Sequence, residues 1–174
     1  MAIVKAKYVK KGSSAKHRAK ATIRYIQHRP DKAGSRTIRA LYGRDGVMER
    51  GEAYRMIDEA ERGLTFFRII ISPDPAKEDK DRDLNMRSIA ENTMQALEER
   101  IQKTILWVAS DHQDHTDHRH IHALALVPGR LTKYDFERLR RQATDTSLQQ
   151  RRELDRAQLQ RQLQREEGEW SRGY

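Results

Sequence analysis

The sequence predicts an α+β protein: a central, mainly antiparallel sheet flanked by helices, followed by a polar helical extension. Three observations carry this. Strand-like and helix-like segments alternate, yet "TILWVAS" (104–110) and "HIHALALV" (120–127) follow one another directly, and a hairpin forces antiparallel pairing. "LTFFRIIISPDP" (64–75) sets Phe66, Phe67, Ile69, Ile70 and Ile71 on both faces of one strand, the mark of a strand inside a sheet. Leu84, Ile89, Met94, Leu97 and Ile101 recur at helical spacing between Asp81 and Lys103. At 174 residues the chain suits one domain with a core, not two.

Taken in order, "AIVKAKYV" alternates as a first strand, and "KKGSS" is a turn whose Ser13 or Ser14 can cap a helix. That helix carries Ala15, Ala19, Ile23 and Ile26 on one stripe and stops at Pro30. "TIRALY" reads as a short strand before the turn "GRDG", and "MERGEAYRMIDEAERG" as a helix closed by Gly63. Pro73 and Pro75 end the long apolar strand. From Thr132 the chain is helix-forming, rich in Arg, Gln, Leu and Glu, with few apolar residues after Leu148. The predicted order is β-α-β-α-β-α-β-β-α.

Composition narrows the chemistry. Hydrophobic residues are 36%, charged residues 35%, and mean hydropathy is −0.97, so part of the chain lies outside any core. No stretch is long and apolar enough to span a membrane, and the N-terminus lacks the apolar segment of a secretory signal, which predicts a soluble, cytoplasmic protein. With no cysteine there are no disulfides or thiolate metal sites. The net charge is +9, but residues 1–44 hold 13 Lys and Arg against the single acid Asp31. This first quarter carries the positive excess and reads as a footprint for nucleic-acid phosphates.

"SDHQDHTDHRHIHALAL" (110–126) carries five of the seven histidines, at 112, 115, 118, 120 and 122. Residues two apart on a strand share a face, so His120 and His122 project together, with His118, or His112 from across the hairpin, as a third. Two imidazoles interrupting an apolar strand are costly without a partner, and a metal supplies one. Three neutral imidazoles on one side of a metal leave its other side open, as a catalytic site needs, and suit zinc or another transition ion. Asp111, Asp114 and Asp117 lie close enough in sequence to hold the far ring nitrogens. Tyr25 falls on the polar side of the first helix, among Arg18, Ala21, Thr22, His28 and Arg29. A phenol attacks a phosphodiester only with help in losing its proton, and a metal-bound phosphodiester makes it a credible nucleophile.

Together these segments look familiar. "DHQDHTDHRHIH" resembles the His-hydrophobic-His motif of the HUH endonucleases, with Ile121 between the histidines. "RAKATIRYIQ" resembles the tyrosine segment of conjugative relaxases of the VirD2-like mobilisation-nuclease group, and "FFRIIISPD" that group's intervening segment. The resemblance covers roughly Met1 to Arg130. It implies a relaxase nuclease domain over 1–130, a helical extension over 131–174, and Mg²⁺ or Mn²⁺ as cofactor. It also implies single-stranded DNA at a transfer origin as substrate, with relaxosome accessory proteins and a secretion coupling protein as partners. Carried over by motif, Tyr25 is the nucleophile, His112, His120 and His122 are the ligands, Ser72 contacts DNA, and Asp114 orients the site or accepts a proton. Lys5, Lys7, Lys16, Arg18, Lys20 and Arg29 would engage phosphates. His115 and His118 exceed the motif and leave the first ligand open.

Two rival readings stand beside this one. In replication initiators and single-strand transposases the tyrosine follows the histidines, and Tyr134 in "LTKYDFERLRR" occupies such a place, although it also fits as a packing residue with Phe136 and Leu139. A non-enzymatic DNA-binding accessory protein holding a structural metal is the other.

Overall fold

The computed structural model describes residues 1–9, 14–113, 116 and 118–170, the last three by backbone alone. The fold is α+β. Strand β1 spans Ile3–Tyr8, β2 Leu41–Gly43, β3 Gly46–Met48, β4 Leu64–Ser72, β5 Leu106–His112 and β6 His120–Pro128; helix α1 spans Ala15–His28, α2 Arg50–Asp58, α3 Met86–Ile101 and α4 Lys133–Trp170. The six strands form one sheet in the order β1-β4-β6-β5-β2-β3, and every pairing is antiparallel.

Period-two alternation divides the sheet into two buried faces. On one, Val4, Tyr42, Phe67, Ile69, Ile71, Trp107, Ile121 and Ala123 meet α3 and the first half of α4. On the other, Phe66, Val108, Leu124 and Leu126 meet Ala19, Ile23 and Ile26 of α1 and Ala53 and Ile57 of α2. The apolar run of β4 is explained by this: β4 lies between β1 and β6, and helices cover both of its faces over much of its length. α1 buries Ala19, Thr22, Ile23 and Ile26, close to the stripe its spacing predicts.

Several boundaries differ from expectation, each for a local reason. The short strand in "TIRALY" shrinks to β2, which folds back on β3 across "GRDG", a hairpin too short to show periodicity. Gly43 has no side chain where an added Cβ would lie 2.9 Å from the Trp107 carbonyl, so β2 can approach β5 closely. α2 ends at Asp58, not at Gly63, and its start is held by a reciprocal capping box between Glu49 and Glu52. α3 begins at Met86, where Asn85 accepts from the Ser88 backbone amide; the preceding stretch is an irregular segment that buries Leu84. Ser14 occupies the N-cap position of α1 without a side-chain bond, and Ser13 lies outside the described residues.

The segment 131–174, expected as an extension, is helical from Lys133 to Trp170, and its first half belongs to the core. Leu139 and Ala143 pack into the sheet, and Thr144 Oγ1 accepts from the Ala2 amide at 2.9 Å. Arg151 pairs with Asp81, Asp83 and Asp155. Beyond that point Leu159 and Leu163 are exposed. No helix among the described residues is long and apolar enough to cross a membrane.

Candidate metal centre and its tyrosine

The β5/β6 hairpin assembles the histidines. His112 pairs directly with His120 in register, and Ser110 with His122, so all three imidazoles stand on the α1 face at one end of the sheet. Their ring centroids are 4.5 Å (His112–His122), 4.9 Å (His120–His122) and 5.4 Å (His112–His120) apart. One nitrogen from each ring lies within 4.8 Å of the others, and the residues are 0%, 9% and 3% exposed in chain order.

Hydrogen bonds select the nitrogens that face inward. A carbonyl only accepts, so His112 Nε2–H donates to the Ile26 carbonyl of α1 at 2.7 Å, which leaves Nδ1 with its lone pair. His120 Nδ1 donates to the His118 carbonyl at 3.2 Å, so the lone pair of that tautomer is on Nε2. The far-nitrogen partners are thus main-chain carbonyls, and they fix tautomer and ring orientation. His112 Nδ1 and both nitrogens of His122 are buried without a hydrogen-bond partner, as is Ser110 Oγ. Each such orphan costs about 1–3 kcal/mol, and the closeness of one nitrogen from each imidazole fits a cation as the missing partner of His112 and His122. The triad can hold a metal ion.

Electrostatics supports this. Burial, then the charge of Arg39, lowers His112 to about 4 despite the Ile26 bond; burial, then its neighbours His112 and His120, lowers His122 to about 3. Both are neutral bases at pH 7, the form that binds metal.

Tyr25, 40% exposed, stands at the mouth of the cluster, its ring edge-on to His122 with centroids 6.1 Å apart. The guanidiniums of Arg29 and Arg68 lie 5.5 and 5.4 Å from its ring centroid. Arg68 was missed by sequence reasoning. Its signal was a lone charge inside the apolar run of β4. Its cross-strand neighbour is Lys7, and Lys5 faces Ile70, so both lysines lie on this same face. Ile3, Lys5 and Lys7 are exposed along β1, and α1 instead packs on β4, β5 and β6.

The remaining predicted residues divide. Ser72 follows Ile71 toward His120, and its hydroxyl donates to the Arg119 carbonyl at 3.4 Å. Lys16 and Lys20 are turned to α2: Lys16 Nζ donates to the Asp58 carbonyl at 2.5 Å and Lys20 Nζ to the Asp58 carboxylate at 2.6 Å. Arg18 is exposed on α1. Asp114, like His115 and Asp117, lies outside the described residues. Asp111 is not beside the histidines, because alternation turns it to the opposite face, where it accepts from Tyr42 Oη at 2.6 Å. Burial raises its pKa, against the pull of Tyr42 and Arg119, and raises the Tyr42 phenol well above its ordinary range. Tyr134 is 65% exposed, whereas Leu139 is buried in the core.

A second element missed from sequence is the brace behind β6. Arg119, one residue before His120, forms a two-pronged bond to Asp79 at 2.6 and 2.8 Å and also donates to the Leu84 carbonyl. Arg82 donates to the Gln113 carbonyl, so the segment between β4 and α3 holds the hairpin on both sides of its loop.

Set against known protein families, curated proteins and solved structures, the chain matches none. Fold and site define an α+β protein with an antiparallel sheet and a buried three-histidine cluster able to bind metal.

Proposed function

We propose that the protein is a metal-dependent single-stranded DNA endonuclease and strand transferase of the HUH relaxase type, acting at a transfer origin of a plasmid or mobile element. The observation that carries this reading is the Tyr25 ring 6.1 Å from His122, at the open mouth of the histidine cluster. A structural metal site has no need of a half-exposed phenol flanked by two guanidiniums. His112, His120 and His122 would hold Mg²⁺ or Mn²⁺ through His112 Nδ1 and His120 Nε2, with His122 supplying either nitrogen. When bound, the cation supplies Lewis acidity toward the non-bridging oxygens of a phosphodiester.

The reaction follows from what the chain positions. Tyr25 Oη attacks phosphorus, the new Oη–P bond forms as the P–O3′ bond breaks, and the phenolic proton passes to the departing 3′ oxygen. The products are a free 3′-hydroxyl and a 5′-phosphotyrosyl link. Because a phosphodiester replaces a phosphodiester, the same site can run the step backward and rejoin strands. Lys5 and Lys7 along β1 supply backbone affinity.

The initiator or transposase alternative places the nucleophile on Tyr134. That residue starts α4, which packs on the other face of the sheet and follows the far end of β6, roughly 20 Å of strand from His122. Incubation with a library of single-stranded oligonucleotides and Mn²⁺, followed by mass spectrometry, tests the proposal. A nucleotide adduct on Tyr25, lost in Tyr25→Phe and kept in Tyr134→Phe, is the expected result. Tight DNA binding with no adduct on any residue favours the accessory-protein reading and refutes the proposal.

A further inference from the structure

Arg68 is the one charged residue of β4, a strand otherwise made of apolar residues, Thr65 and Ser72. Its burial is intermediate, and among the described residues no hydrogen bond or ion pair engages its guanidinium. Three other sheltered arginines are matched: Arg119 by Asp79, Arg151 by Asp81, Asp83 and Asp155, and Arg39 by the Arg29 carbonyl. Arg68 instead faces a tyrosine ring at 5.4 Å, with Lys7 opposite it in register and His122 one diagonal step away across β6. Arg29 approaches the same ring at 5.5 Å. Holding an unmatched cation on a sheet face beside two further cations is unfavourable until an anion arrives.

We propose that Arg68, assisted by Arg29, binds the oxygens of a phosphate group seated between Tyr25 and the histidine triad, and so acts as a catalytic residue on the scissile phosphodiester. The inference rests on the function proposed above and adds to it a site and a ligand class. A guanidinium presents paired donors that match two phosphate oxygens, and it stabilises charge that grows as the phosphorus becomes five-coordinate. A cation held by the triad would give the phosphate a second cationic partner besides the Arg68 guanidinium, which lies 5.4 Å from the Tyr25 ring.

The test uses the Mn²⁺-loaded full chain and two probes. Binding of inorganic phosphate is followed by paramagnetic broadening of its ³¹P resonance, and Tyr25 adduct formation is timed with a cleavable single-stranded oligonucleotide. Arg68→Gln should weaken phosphate binding by about tenfold or more and slow adduct formation by about 10²–10³-fold, the usual loss for one donor to a developing oxyanion. Mn²⁺ affinity by calorimetry and the urea midpoint should stay near wild type. Arg68→Lys, which keeps the charge but not the fork, should recover part of both losses. Lys7→Gln, one strand further out, should lower oligonucleotide affinity and leave phosphate binding unchanged. Unchanged phosphate affinity in Arg68→Gln overturns the proposal whatever happens to the adduct. If phosphate binding depends on Arg68 but wild-type protein forms no adduct, the anion site stands and the nuclease reading falls.

Discussion

Acidification should destabilise the metal-free protein through His112 and His122, by an amount the structure sets. In an unfolded chain these residues titrate at 6.5; in the folded protein burial holds them to about 4 and about 3. Below pH 6.5 the unfolded state therefore binds more protons than the native state, so stability rises with pH and is lost as pH falls. The loss continues until each folded-state pKa is reached, and no further for that residue. Between about pH 7 and about pH 5 each histidine gains most of one proton on unfolding and almost none when folded. At about 1.4 kcal/mol per unit this gives about 2 kcal/mol per residue, or about 4 kcal/mol for the pair. That is a large share of an ordinary domain stability of about 5–15 kcal/mol. Urea titrations in EDTA at the two pH values, followed by tryptophan fluorescence, measure it. His112→Gln with His122→Gln removes both groups and should flatten the pH dependence by most of that amount. A double variant that loses as much stability as wild type over the same interval would refute the reasoning, because the acid sensitivity would then lie elsewhere.

Three further outcomes are expected. His120→Ala removes one of three imidazole donors, and calorimetry should show Mn²⁺ affinity reduced by about tenfold or more, with cleavage falling alongside it. Lys5→Gln with Lys7→Gln should flatten the salt dependence of single-strand affinity by about 1.4 on a log-log plot. Fluorescence anisotropy at several salt concentrations should show a smaller change for Lys16→Gln with Lys20→Gln, whose ammonium groups already bond to Asp58. Arg119→Ala leaves the Asp79 carboxylate buried and unpaired, and denaturation should show a loss of about 3–5 kcal/mol. Because Arg119 also anchors the start of β6, Mn²⁺ affinity should fall in that variant; if it does not, the brace is not what holds His120.

The pieces of the candidate site were visible in the sequence wherever spacing alone decides a side chain's direction. His120 and His122 share a face because a strand repeats every two residues, and no tertiary contact is needed to know it. Tyr25 leaves the apolar stripe of its helix for the same kind of reason, since a period of 3.6 residues puts it away from Ile23. The sheet's antiparallel character followed from one hairpin, because a short connection permits no other pairing.

What spacing could not decide was which segments meet. Sheet order brought β1, β4 and α1 to the histidines' face, which made Arg68 and Lys7 neighbours of the site and sent Lys16 and Lys20 to α2. Asp111, adjacent to His112 in sequence, lies on the other side of the sheet with Tyr42, while the Ile26 carbonyl, 86 positions away, holds the imidazole. The sequence by itself therefore determined the longer strands, the amphipathic helices and the chemistry each could offer, since these depend on local backbone periodicity. Tertiary structure alone decided which nitrogens of His112 and His120 meet main-chain carbonyls, which cations remain unmatched and which carboxylates are withdrawn. Those depend on distances across the sheet that the chain acquires only when its faces are buried together.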